Sequence, residues 1–109
     1  MIDSRLILLH PNDNILICAR HLTARTEVMI DGKLTVLKRD IDIGHKIARS
    51  AIQLGEKIIK YGVPIGSASA DIQAGDHVHT HNLVSDYIPA HDRRRPSQPA
   101  LRVFPHDTD

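Results

Sequence analysis

The stretch Gly75-Asp76-His77-Val78-His79-Thr80-His81-Asn82-Leu83 carries three of the chain's eight histidines within five positions. On an extended strand, side chains i, i+2 and i+4 leave from one face. His77, His79 and His81 would then form a row of imidazoles about 7 Å apart from one to the next. Neutral imidazole is the commonest protein metal ligand and the side chain that titrates nearest neutral pH. The row therefore suits a metal site or proton transfer. A straight strand splays its side chains, so one ion is better reached by two of the three with a group from elsewhere, a partner chain included. A bland use stays open beside this: any of these imidazoles can cap the strand or bond a buried carbonyl, His77 above all because it follows the turn.

What carries the row is a small domain. At 109 residues the chain has room for one modest core. Hydrophobic residues make up 41%, aromatics only 3%, and there is no Trp, so the core is aliphatic and β-branched and favours pleated surfaces. A net charge of +1 argues against a general nucleic-acid or membrane surface. The dense basic run, Arg93-Arg94-Arg95, lies among prolines and reads as a solvated or docking segment. The lone Cys18 cannot form an internal disulfide. Within Leu16-Ile17-Cys18-Ala19 it reads as a small buried hydrophobe in a reducing, cytoplasmic setting. Leu6 to Leu9 is far short of the roughly 20 residues a membrane helix needs, and no export signal is expected.

The elements follow from turn chemistry. His10-Pro11-Asn12-Asp13-Asn14 separates Leu6–Leu9 from Ile15–Ala19, which predicts a hairpin or tight corner. From residue 22 a form recurs: apolar, two variable residues, Gly, two polar residues, apolar. It reads Leu22–Val28, Ile41–Ile47, Ile52–Ile58 and Ile72–Val78, with Arg25 in place of Gly in the first copy. Each copy is expected to turn sharply and feed a short strand. The irregular spacing of 19, 11 and 20 residues argues against a solenoid. Asp31-Gly32 signals a hairpin turn, and Tyr61-Gly62-Val63-Pro64 is a second turn-rich stretch. In His45–Leu54 the spacing predicts a strand up to Ile47 and one short helical turn around Arg49 to Ile52. The expected organisation is a β domain over 1–86 and an extended Pro/Arg-containing tail over 87–109.

Three stretches together resemble a known family. They are Asp40-Ile41-x-x-Gly44-His45-Lys46-Ile47-Ala48, then Gly55-Glu56-x-Ile58-Ile59-Lys60-Tyr61-Gly62-x-Pro64-Ile65-Gly66, then Ile72-x-Ala74-Gly75-Asp76-His77-Val78-His79-Thr80-His81-Asn82-Leu83. Over roughly residues 7 to 86 the chain resembles the SAF domain of the altronate/galactarate dehydratase family, which takes in sugar-acid dehydratases and related sulfolactate sulfo-lyases. The resemblance implies a mainly β fold, a small convoluted β-clip with at most a short helix. In that family the domain is either fused to a much larger catalytic region or made as a separate small subunit. The expectation here is the small subunit or a free-standing relative, working with a large catalytic dehydratase subunit on a small hydroxy acid such as altronate or galactarate.

Dehydration of a hydroxy acid removes the proton beside the carboxylate and expels the β-hydroxyl. A divalent metal suits it by stabilising the enolate-like charge, be it iron, manganese or zinc. Under the resemblance His79 and His81 are the candidate catalytic residues, and His77, His79 and His81 the candidate metal ligands. Lys60 and Asn82 are candidate substrate contacts, with Lys46 an alternative partner for the carboxylate. Each has a plain alternative: Lys60 and Tyr61 shape a turn, and Asn82 caps one. His45 stands between a second-site ligand and a surface residue, while His10, His21, His91 and His106 read as ordinary. Other classes remain open: a non-catalytic carbohydrate or hydroxy-acid binding module, a homo-oligomerisation domain, or the small subunit of a sulfolactate sulfo-lyase.

Overall fold

Short aliphatic runs separated by tight turns give nine strands and no helix among residues 1–86, the residues that the computed structural model describes. The proposed tail at 87–109 lies outside them. In order the strands are β1 (Leu6–Ile7), β2 (Ile15–Cys18), β3 (Glu27–Ile30), β4 (Lys33–Val36), β5 (Lys46–Ala48), β6 (Lys57–Lys60), β7 (Val63–Ala68), β8 (His77–Val78) and β9 (Leu83–Val84). All pairings are antiparallel: a central sheet β1-β2-β5-β8, a β3-β4 hairpin, and a β6-β7-β9 sheet. The expected corner between the first two strands and the mainly β class are both present.

The four recurring segments resolve into two copies of one larger unit. Leu22 and Ile41 exchange backbone hydrogen bonds of 2.8 Å at the base of the β3–β4 hairpin, and Ile52 and Ile72 do the same, also at 2.8 Å, at the base of β6–β7. The amides of Gly44 and Gly75 then donate to the carbonyls of Cys18 and Ala48, each at 2.8 Å, and dock the exit turn on the preceding strand. The intervals of 19 and 20 residues each span a hairpin, and the interval of 11 runs through β5 between the units. Asp31 and Gly32 take positive φ (50° and 82°), as a tight hairpin requires. Tyr61 and Gly62 (56° and 76°) form the matching turn, and the buried Asp13 carboxylate accepts their amides at 3.1 and 2.7 Å.

Each unit closes one core. Leu16, Cys18, Leu22, Val28, Leu37, Ile41 and Ile47 form the first, while Ile15, Ala48, Ile52, Ile58, Ile72 and Val78 belong to the second. Neighbours Ile15 and Leu16, and Ile47 and Ala48, fall in different cores, so the central sheet is covered on both faces. This overturns one expectation, the helical turn around Arg49 to Ile52. Consecutive burial of Ile47 and Ala48 imitates helical spacing, but it belongs to a strand packed on both sides. Beyond it the Arg49 amide donates to the Asn14 carbonyl at 2.9 Å and Ile52 is held in its bridge to Ile72. Cys18 is buried as expected, and burial pushes its thiol up to about 11. Among the described residues no helix is long and apolar enough to cross a membrane.

Candidate functional site

Strand β8 is only two residues long, so the histidine row is not one straight strand. Asn82 ends it. Its backbone amide donates to the His79 carbonyl at 3.0 Å and its side-chain Oδ1 accepts the His79 amide at 2.9 Å. Its Nδ2 donates to the His77 carbonyl at 2.8 Å. A short amide side chain bonding its own backbone is a common way to stabilise a turn, and Asn82 is buried at 7% exposure while doing so.

Within this turn His77 and His79 keep a shared face. Their rings stack with centroids 5.4 Å apart and 12° between planes. The third member comes from the residue just before β5. Lys46 pairs with Val78 and Ile47 with His77, so the next step of that register sets His45 opposite His79. The His45 ring lies 5.1 Å from that of His77 and 5.3 Å from that of His79. His45 Nδ1 and His77 Nε2 share a hydrogen bond of 3.0 Å, whose donor depends on the tautomers. One ring nitrogen from each of His45, His77 and His79 lies within 4.8 Å of the others.

These three are residues that could hold a divalent cation. Metal–nitrogen bonds of about 2.0–2.1 Å put ligand nitrogens roughly 3–3.5 Å apart, a spacing the His45–His77 pair already has. His77 is also in the right protonation state. Burial first, then the charge of Arg39 and the neighbouring imidazoles, pushes its pKa down to about 4, so the ring is neutral and has a lone pair to give. Its Nδ1 is buried and has no hydrogen-bond partner among the described residues.

His81 falls outside the trio, with its ring 5.6 Å from that of His77. It shares with His77 an open cleft of about 450 Å³ whose other walls include Lys38, Arg39, Asp71 and Asp76. A smaller recess of about 120 Å³ is lined by Gly44, His45, Lys46 and His79. The histidine cluster thus lies between two openings. Lys60 lines neither; it ends β6 beside the Tyr61–Gly62 turn. Asn82 lines the larger cleft, with both ends of its amide engaged in the turn. Lys46 is buried at 4% exposure. His10 accepts the Asn12 amide and His21 sits 3.4 Å from Asp42, while His91 and His106 lie outside the described residues.

Sequence reasoning left His45 undecided and passed over Arg39. For His45 a signal existed: it follows the turn glycine of the second copy, and antiparallel pairing of the second and fourth copies brings that position against the histidine row. Nothing in the sequence marked Arg39.

Residues 4–86 match the family model described as the altronate/galactarate dehydratase SAF domain. The chain belongs to that family. Among relatives of this SAF domain, the altronate dehydratase of Escherichia coli (strain K12) is 46% identical over 76 residues, which is 70% of this chain and 15% of that protein. The altronate dehydratase of Bacillus subtilis (strain 168) is 42% identical over 76 residues, with the same shares. The (2R)-sulfolactate sulfo-lyase subunit alpha of Paracoccus pantotrophus is 50% identical over 52 residues, 48% of this chain and 76% of that subunit. The SAF chain therefore spans only a small part of the altronate dehydratases and most of the sulfo-lyase subunit.

Proposed function

We propose that this SAF domain is the small-subunit or N-terminal-type part of a metal-dependent hydro-lyase acting on sugar acids such as altronate or galactarate. The observation that carries the reading is the His45–His77–His79 trio inside the matched region. His45, His77 and His79 would hold the cation, a change from the set His77, His79 and His81. A divalent ion there supplies positive charge against the negative charge that builds on the substrate carboxylate as its α-proton leaves. His81, outside the trio and lining the larger cleft, would carry a proton. Asn82 holds the backbone of both His77 and His79 and acts as a positioning residue. A large catalytic polypeptide would contribute the rest of the site. A cytoplasmic setting suits the lone buried Cys18.

The test is to purify the chain with its large partner and measure 2-keto-3-deoxy acid formation from altronate and galactarate. A His79→Ala, His81→Ala double variant is expected to lose at least about 10²-fold in turnover, the usual lower range for a lost proton-transfer group. Unchanged turnover sinks the site assignment.

One observation favours a second reading. The match covers 76% of a sulfo-lyase subunit alpha but only 15% of an altronate dehydratase. On that reading the complex eliminates sulfite from sulfolactate instead of water from a sugar acid. Measuring sulfite release beside keto-acid formation separates the two.

A further inference from the structure

Building on the lyase reading, we infer that the cleft between residues 38–39 and 75–82 is the acid-binding subsite, with the Arg39 guanidinium taking the carboxylate of a polyhydroxy acid. The cleft holds two cations and two carboxylates. Three of these four are already engaged. Asp71 Oδ1 accepts the Leu54 amide at 2.8 Å, and Asp76 Oδ2 accepts the Gln73 amide at 2.9 Å. Asp76 Oδ1 pairs with Lys38 Nζ at 3.1 Å. Arg39 has no carboxylate partner among the described residues.

A planar guanidinium with five donors in a fixed fork matches a carboxylate in two-pronged geometry, which a lysine cannot do. The cleft has the right scale as well, since about 450 Å³ falls within the usual range for small-molecule sites. His77, a member of the metal trio, and His81, the free-standing imidazole, line the same cleft. An acid bound by Arg39 therefore has its remaining carbons beside both the candidate metal centre and the candidate proton carrier. This assigns carboxylate recognition to Arg39 and leaves Lys60, on the β6–β7 hairpin, to its turn.

The test uses the 109-residue chain, with galactarate as the probe and galactitol, the neutral polyol, as control. Calorimetry and amide NMR are run with and without Mn²⁺. Galactarate is expected to bind and to shift amides at 38–39, 75–77 and 81–82, while galactitol does not. Arg39→Gln weakens galactarate roughly ten- to hundredfold, the range for a lost charged hydrogen-bond pair, and Arg39→Lys recovers part of it. Galactarate affinity in Lys33→Gln, a surface charge removed outside the cleft, stays at the wild-type value. Wild-type galactarate affinity in Arg39→Gln, equal binding of galactitol, or no binding of galactarate by the chain each overturns the inference. The lyase reading is judged apart from this by turnover with the large polypeptide: a wild-type complex that makes no keto acid overturns that reading, whereas turnover with KM unchanged in Arg39→Gln overturns only the role of Arg39.

Discussion

His45 and His79 face each other one step beyond the last paired residues of β5 and β8, with ring centroids 5.3 Å apart. On the proposed reading, this cross-strand relationship sets which histidines would share an ion. His45, His77 and His79 each bring one ring nitrogen within 4.8 Å of the others, whereas His81, in the turn that the Asn82 amide closes on the His79 carbonyl, is not part of that group. His45→Ala and His79→Ala are therefore each expected to weaken Mn²⁺ or Zn²⁺ binding by more than the roughly 10–100-fold that an outer-shell partner is worth. His81→Ala should bind either ion as the wild type does and lose activity in the complex. Calorimetric titration of the three variants checks this. Loss of metal in His81→Ala with retention in His45→Ala would restore the straight-strand set.

Asn82 holds the turn that makes this convergence possible. Its Oδ1 and Nδ2 join the His79 amide to the His77 carbonyl from a buried position. Asn82→Ala leaves both backbone groups unpaired, so the domain should lose about 1–3 kcal/mol in urea unfolding. Metal affinity should fall with it, because His79 loses its anchor. Asn82→Asp keeps the acceptor for His79 and loses only the donor to His77, and should be the milder change. Equal stability of wild type and Asn82→Ala would show that the turn holds without its cap.

Much of this was legible in the residues. Aliphatic runs and turn glycines were enough to give a mainly β domain, the Asp31–Gly32 hairpin turn, a turn at Tyr61–Gly62 and the buried Cys18. The recurring segments were visible, but not that they pair in twos, because the bridges Leu22–Ile41 and Ile52–Ile72 join residues about twenty positions apart and periodicity carries no pairing information. The helical turn was misread because burial on both faces of β5 gives consecutive apolar residues. At the site, alternation correctly set His77 and His79 on one face. It could not reveal that the strand stops at Val78, since that depends on Asn82 choosing its own backbone over the ladder. Nor could it place Arg39, which enters the cleft from the β4–β5 connection.

The first recurring segment carries a residue at odds with its backbone. Arg25 has φ 73°, beside 82°, 89° and 87° for Gly44, Gly55 and Gly75 in the other copies. A side chain in the left-handed region costs about 1–2 kcal/mol, and Gly avoids this while adding about 0.5–1 kcal/mol of chain entropy to lose on folding. Arg25 is exposed and its side chain makes no hydrogen bond or ion pair among the described residues. Arg25→Gly should therefore raise stability by up to about 1 kcal/mol, read as a higher urea midpoint with an unchanged slope. A lower midpoint would mean that the arginine stem contributes packing that outweighs its backbone cost.

Acid should loosen the domain first where its start is tied to β3. The Asp3 carboxylate accepts the Arg5 amide at 3.0 Å, Arg5 Nε at 2.9 Å and Arg5 Nη2 at 2.7 Å, and Arg5 Nη2 also donates to the Glu27 carbonyl at 2.8 Å. The Arg5 side-chain bonds above all, then its backbone amide, hold the Asp3 carboxyl well below the usual carboxylate range against the opposing effect of burial. The sign follows from linkage. The folded-state pKa lies below the unfolded value of about 3.9, so the unfolded chain takes up the proton first as pH falls. The stabilisation is complete above about pH 5 and is lost progressively as pH drops through 4 toward the folded-state value. Asp3→Asn should cost on the order of 1 kcal/mol at pH 7, a modest figure because solvent reaches the pair. It should also flatten the decline in urea midpoint between pH 6 and pH 3 relative to the wild type. Parallel declines in the two proteins would assign the acid sensitivity to other carboxylates, such as Asp31 beside Arg49.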